Sequence, residues 1–293
     1  MRILLTGKTG QVGYQLERSL QGLGEVIALN STQMNLADLD SVTSVIREIK
    51  PNLIVNPAAY TAVDQAEREV ELAHRINGEA PGVMAEEARR LGAAMIHYST
   101  DYVFDGDKEG AYAEHDVPNP QNVYGKSKLA GEHAIAAAGI PHLILRTSWV
   151  YGMRGRNFLL TVLRLANERD ELRIVSDQFG APTWSRTIAD TTAHIVTRLQ
   201  SHSQGADLLR DAWQEHTGTF HLTAQGHTSW HGFTKAIVAH PSVPKKPLVT
   251  PIKTDEYPLP ARRPKNSVMS CDKLTRAFCA LPQWDKALEL CQD

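Results

Sequence analysis

Arg2-Ile3-Leu4-Leu5-Thr6-Gly7-Lys8-Thr9-Gly10-Gln11-Val12-Gly13 is the stretch whose reading decides the fold. A short apolar run of this kind reads as a buried strand, and here it ends in a loop punctuated by three glycines. Val12, Leu16, Leu20 and Leu23 follow at helical spacing, so residues 12–23 read as a helix with one apolar face. Small residues at Gly7, Gly10 and Gly13 let the backbone approach a pyrophosphate, which meets unpaired N–H groups at the helix N-terminus. The spacing is GxxGxxG rather than GxGxxG, a pattern that also fits an ordinary strand-to-helix turn. Its place directly after an apolar strand gives it weight.

Working outward, the same rhythm continues. Residues 25–29 read as a second strand, and 41–50 as a helix with Ser41 as its N-cap. Residues 53–56 are a buried strand stopped by Pro57, and 66–91 hold helical material. Residues 94–99 form another strand, 124–138 a helix ended by Gly139, and 142–146 a further strand. Alternation of this kind predicts an α/β protein built on a Rossmann-like doubly wound parallel sheet. Ligands in such sheets bind beyond the carboxyl ends of the strands, and Gly7, Asn30, Ala58-Ala59 and Thr100 all fall there.

From about Trp149 the rhythm breaks. The expected division is a dinucleotide-binding domain over 1–148, with a helix at 188–200 packing back on it, and a smaller, partly interleaved C-terminal substrate domain over 149–187 and 219–293. Residues 201–218 read as an exposed insertion with a short helix near 206–215. Residues 241–264 carry seven prolines and should be extended or looped.

Bulk composition removes several function classes. The 293 residues are 42% hydrophobic and 22% charged, ordinary for a soluble globular protein. A net charge of −2 gives no electrostatic case for nucleic acid or a membrane surface. No run approaches the length of a membrane span, and the N-terminus shows no secretory pattern, so a cytoplasmic protein is expected. Cys271, Cys279 and Cys291 lack CxxC spacing and read as reduced structural thiols. The histidines are scattered and HExxH does not occur, so no metal site is expected from spacing.

Asn30 stands where NAD enzymes usually carry an acid for the adenosine ribose. An uncharged side chain does not repel a 2′-phosphate, and Lys8 is near enough in sequence to attract one, which tilts the cofactor toward NADPH with NADH possible. Asn35 and Leu36 sit where an adenine contact belongs. Ala58, Ala59, Tyr60 and Thr61 open a loop of mostly small residues that would let the cofactor's middle lie against the backbone. Tyr124 and Lys128 are four apart and share one helical face, whereas Lys126 faces away. An ammonium beside a phenol favours phenolate, which makes the tyrosine a usable general acid near neutral pH. Thr100 adds a hydroxyl able to hydrogen-bond a carbonyl oxygen as negative charge develops on it.

With these motifs in register the chain resembles the extended short-chain dehydrogenase/reductases, and within them the dTDP-4-dehydrorhamnose reductase family. The likeness rests on the Gly7–Gly13 loop and on His97-Tyr98-Ser99-Thr100-Asp101-Tyr102-Val103-Phe104. It continues through Asn122-Val123-Tyr124-Gly125-Lys126, Arg146-Thr147-Ser148-Trp149-Val150-Tyr151, Asp177-Gln178-Phe179-Gly180-Ala181-Pro182-Thr183 and Arg263-Pro264-Lys265-Asn266-Ser267. The resemblance implies an oxidoreductase of dTDP-rhamnose biosynthesis, serving cell-surface polysaccharide such as lipopolysaccharide O-antigen. It implies catalytic Thr100, Tyr124 and Lys128, with Tyr124 donating the proton and Lys128 also binding ribose. Asp101 and Trp149 would contact the nucleotide-sugar substrate, and Tyr98 with Ala59, Tyr60 and Thr61 would line the cofactor. Arg263 is a further candidate, for a pyrophosphate contact, because guanidinium forks suit phosphate oxygens.

Some members of the family are associated with Mg²⁺ held by carboxylates near a dimer contact. Gln15 and Arg186 stand where acids would be sought, so metal-dependent dimerisation is not expected, and a monomer or weak homodimer is. Other readings of the same motifs are a nucleotide-sugar epimerase, dehydratase or reductase of another substrate, and a non-catalytic regulatory subunit like that of methionine adenosyltransferase. An intact Thr100, Tyr124 and Lys128 set argues against the last.

Overall fold

In the computed structural model, which describes residues 1–201 and 212–293, the opening run forms strand β1 (Arg2–Leu5). It is followed by β2 (Glu25–Ala28), β3 (Leu53–Asn56), β4 (Ala94–Thr100) and β5 (His142–Thr147). Seven further strands are shorter or peripheral: β6 (Val150–Tyr151), β7 (Glu171–Val175), β8 (Phe179–Gly180), β9 (Thr183–Trp184), β10 (Gly218–His221), β11 (Thr228–Ser229) and β12 (Leu248–Ile252). The main sheet has the order β10-β5-β4-β3-β1-β2, and every pairing in it is parallel. The chain leaves β1 toward β2 and then crosses to β3 on its other side. This reversal opens a crevice beyond the carboxyl ends of β1 and β3.

Strand alternation builds two apolar layers. Ile3 and Leu5 face a core shared with Leu16, Leu20, Ile188 and Ile195, whereas Leu4 faces Val42, Ile46, Met84 and Ile135. Helices α1 (Gln11–Ser19) and α8 (Ser185–Ser201) cover the first face and pack on one another, with the Ser19 hydroxyl donating to Asp190 at 2.6 Å. Helices α2 (Leu39–Ile49), α5 (Ala80–Leu91) and α6 (Val123–Ala137) cover the second.

Several boundaries differ from expectation. The first helix stops at Ser19 and a 3₁₀ turn, Gln21–Leu23, completes the run. The second begins at Leu39, because Asp38 rather than Ser41 is its cap; the Asp38 carboxylate accepts from the Ser41 N–H at 3.1 Å. The helical material expected over 66–91 is divided among several elements. Short helices α3 (Val63–Ala66) and α4 (Val70–His74) lead into a π-helical turn, Arg75–Glu79, before α5. Within 241–264, Leu248–Ile252 form β12, which pairs in parallel with β7.

The expected substrate portion divides by packing. Tyr151, Leu159, Val162, Phe233, Ile237 and Leu288 form a core of their own. Strand β10, however, pairs with β5, and Leu274, Phe278 and Leu281 join the first sheet core. A four-residue strand satisfies its backbone groups by adding to a sheet edge, so this part of 219–293 belongs with the large sheet. The expected insertion at 201–218 and its helix near 206–215 fall mainly on residues 202–211, outside the described ones. Beyond them Trp213 is buried in the first core.

Candidate active site

A cavity of about 520 Å³ lies over the carboxyl ends of the strands, where the reversal places it. Gly7, Gly10, Gln11, Val12 and Gly13 line it, together with Asn35, Leu36, Ala58, Ala59 and Thr61, and with Tyr98, Tyr124 and Lys128. Gly7 and Gly13 are required by geometry. Gly7 has a φ of +60°, and a Cβ on Gly13 would stand 2.1 Å from the Gly7 carbonyl oxygen. No carboxylate lines the cavity among the described residues. Two buried hydroxyls of residues that line it, Ser99 Oγ and Thr147 Oγ1, have no hydrogen-bond partner among the described residues. Small backbone-presenting residues together with unpaired hydroxyls fit a dinucleotide, and the lack of carboxylates suits one that carries an extra phosphate.

Tyr124 stands near the start of α6, which Asn122 caps by accepting from the Gly125 N–H at 2.8 Å. The Tyr102 ring meets the Tyr124 ring edge-on at 5.6 Å. The Thr100 hydroxyl donates to the Asp101 carboxylate at 2.9 Å and accepts from the Tyr102 N–H at 3.2 Å. Burial pushes the Asp101 carboxyl up to about 6, with the Ser267 and Thr100 hydroxyls working against it. Burial likewise pushes the Tyr124 phenol up to about 12; the nearby charge of Asp101 adds to this, and a hydrogen bond with Thr100 opposes it.

Lys128 is 1% exposed, and its Nζ donates to the Tyr98 carbonyl at 2.6 Å and lies 3.1 Å from His97 Nε2. Its ammonium is held by these groups while the side chain still lines the cavity beside Tyr124. Burial lowers Lys128 to about 8, opposed by Glu132 one turn along the helix. Beneath the lysine a polar chain runs back to the glycine loop. His97 Nδ1 is 3.1 Å from Asn56 Nδ2, and Asn56 Oδ1 accepts from the Thr6 hydroxyl at 2.6 Å. His97 is held well below the usual imidazole range by burial and by the charge of Lys128.

Other expected residues sit differently. The Asn30 side-chain oxygen is taken up by a turn, accepting from the Thr32 and Gln33 N–H groups at 3.0 and 3.1 Å; its neighbour Ser31 lines the cavity instead. Lys8 is not among the lining residues. The Tyr60 phenol points away from the cavity and donates to Glu69 at 2.6 Å. Its backbone is clamped by Asn77 of the π-helical turn, which accepts from the Tyr60 N–H at 2.8 Å and donates to its carbonyl at 3.0 Å. Arg263 is paired with Asp64 at 2.7 Å, and its guanidinium lies 5.9 Å over the Tyr102 ring. It flanks a second cavity of about 230 Å³ together with Arg262, Lys265 and Tyr257. Arg186 pairs with Asp190 at 3.4 Å, and no group of three or more His, Cys, Asp or Glu side chains able to hold a metal occurs among the described residues.

Trp149 adopts a φ of +47°, a conformation that strains a bulky side chain. Its ring stacks on Trp230 at 3.5 Å, and a Cβ on Gly180 would stand 2.5 Å from it. Trp230, Asn77, His97, Ser31 and Thr147 were not singled out from sequence for such parts. Asn77, His97 and Trp230 meet Tyr60, Lys128 and Trp149 only through the fold, since each lies well along the chain from its partner.

Comparison with known proteins assigns the chain to a family. The whole chain, residues 1–293, fits the family described as the RmlD substrate binding domain. A dTDP-4-dehydrorhamnose reductase from Burkholderia thailandensis is 48% identical over 299 residues, covering 99% of this chain and 98% of that protein. The chain belongs to the dTDP-4-dehydrorhamnose reductase family. A crystal structure of a family member from Clostridium acetobutylicum superposes with a TM-score of 0.88 at 36% identity, covering 99% of this chain and 98% of the other. The Bacillus anthracis member, solved in complex with NADP, superposes with a TM-score of 0.87 at 34% identity over 99% and 98% of the two chains.

Proposed function

We propose that this chain is an NADPH-dependent oxidoreductase that reduces the C4 ketone of dTDP-4-dehydro-β-L-rhamnose to dTDP-L-rhamnose. The observation that carries the reading is Tyr124, its phenol held protonated, lining a cavity that suits a dinucleotide phosphate, in a chain of this family. Bound NADPH supplies the hydride. Tyr124 gives its phenolic proton to the oxygen that gains charge as C4 is reduced, and Thr100 holds that oxygen in line. Lys128, fixed through Tyr98 and His97, keeps a positive charge at the nicotinamide end. Asp101 and Trp149 contact the sugar, and Arg263 stands beside the second cavity, where a diphosphate meets Arg262 and Lys265.

Among the described residues no helix is long and apolar enough to cross a membrane, and a nucleotide-sugar substrate suits a cytoplasmic enzyme supplying cell-surface polysaccharide. The test is a coupled assay. The ketone is generated enzymatically, this protein is added, and oxidation of NADPH and NADH is followed by absorbance. Turnover with NADPH is expected, with NADH the poorer donor; no oxidation with either cofactor sinks the proposal.

A further inference from the structure

NADPH brings a pyrophosphate and a 2′-phosphate into the cavity, yet only two cations line it among the described residues, Lys128 and Arg156. Lys128 is buried and engaged by Tyr98 and His97. Arg156 is exposed and has no ion pair or hydrogen bond within the described residues. The segment that carries it is held against the glycine loop from the opposite side of the crevice. Asn157 Nδ2 donates to Gln11 Oε1 at 2.9 Å and to the Gly152 carbonyl at 2.8 Å. Gly155, with a φ of +77°, lies so close that a Cβ on it would be 3.4 Å from Gln11 Cγ. The Arg154 guanidinium lies 4.0 Å over the Tyr14 ring, which Arg18 also covers at 3.4 Å. The next side chain but one is therefore presented to the cavity beside the start of α1.

We infer that Arg156 is a cofactor-binding residue that grips the dinucleotide pyrophosphate, closing over it while the glycine loop holds it through backbone N–H groups. The inference rests on the NADPH reading above. The glycine loop offers dipoles but no full charge, and a guanidinium fork matches two phosphate oxygens at once. Cofactor binding then ties the segment after β6 to the glycine loop, so the dinucleotide becomes part of the contact between the two sides of the crevice.

The test measures NADPH and NADH dissociation constants by fluorescence titration of the full-length protein, wild type against Arg156→Ala and Arg156→Lys. Arg156→Ala is expected to weaken both cofactors alike by roughly 10- to 100-fold, the size of a charge-assisted contact, and to weaken them less as salt rises. Arg156→Lys is expected to fall between. Unchanged affinities in Arg156→Ala overturn the inference. A loss confined to NADPH also overturns it, placing the contact at the 2′-phosphate. A wild-type protein that binds neither dinucleotide defeats the cofactor reading itself, which is a separate failure. Matching thermal melts of the three proteins show that the exposed side chain acts on binding rather than on folding.

Discussion

Tyr124 and Lys128 share a helical face, but the structure gives them separate environments. The phenol holds its proton at about 12, beside Asp101 and Thr100, and so arrives at the reaction as an acid. Replacing it in Tyr124→Phe removes the proton and little volume. That variant should lose most of kcat, about two or more orders of magnitude, while binding NADPH as wild type does; wild-type turnover would take Tyr124 out of the acid role. Lys128 titrates at about 8 because burial disfavours its charged form. Below that pH the ammonium is present; as pH rises through it, the positive charge at the nicotinamide end disappears. The pH profile of kcat/KM should therefore fall on its alkaline side near pH 8, and a Lys128→Met variant, slow throughout, should lack that limb. A Lys128→Met profile with the same limb would assign it to another group.

At the scale of elements, α6 carries both residues, and its placement depends on a buried ion pair. Arg146 on β5 donates twice to Glu132, at 2.9 and 2.6 Å, and both side chains are about 5% exposed. The pair sits one turn beyond Lys128 and pins the helix to the strand beside β4. Removing one partner strands a charge away from water, so Glu132→Ala should destabilise the fold by roughly 3–5 kcal/mol. Thermal or denaturant unfolding reads this directly. The double variant Glu132→Leu with Arg146→Met should recover most of the loss, because two apolar side chains leave nothing unpaired. A Glu132→Ala protein as stable as wild type would show that the pair does not hold α6.

Across the whole molecule, the crevice is closed by elements that the chain reaches only after leaving the first sheet. Trp149 is held in its strained conformation by Trp230, 81 positions later, and by the flat surface of Gly180. A methyl at Gly180 cannot coexist with the indole where it stands, so Gly180→Ala should displace Trp149. The expected result is a KM for the sugar nucleotide raised about tenfold, with the NADPH dissociation constant unchanged. An equal loss on cofactor and sugar would mean that Trp149 serves the fold of the crevice rather than the substrate.

Alternating apolar runs and the Gly7–Gly13 loop were enough to read the doubly wound sheet and the place of its cavity from sequence, because strand and helix periodicity and tight turns are local properties of the chain. The i,i+4 spacing likewise placed Tyr124 and Lys128 on one face. What those groups do there was decided by tertiary structure. Lys128 turned out to face His97 and the Tyr98 carbonyl, Arg263 to face Asp64, and Asn30 to fold into its own turn. β10 closed the sheet edge, and Arg156 reached the cavity from a segment with no motif. A side chain's charge state and hydrogen-bond partners depend on its loss of water and on neighbours distant in sequence. Those quantities exist only once the chain has folded.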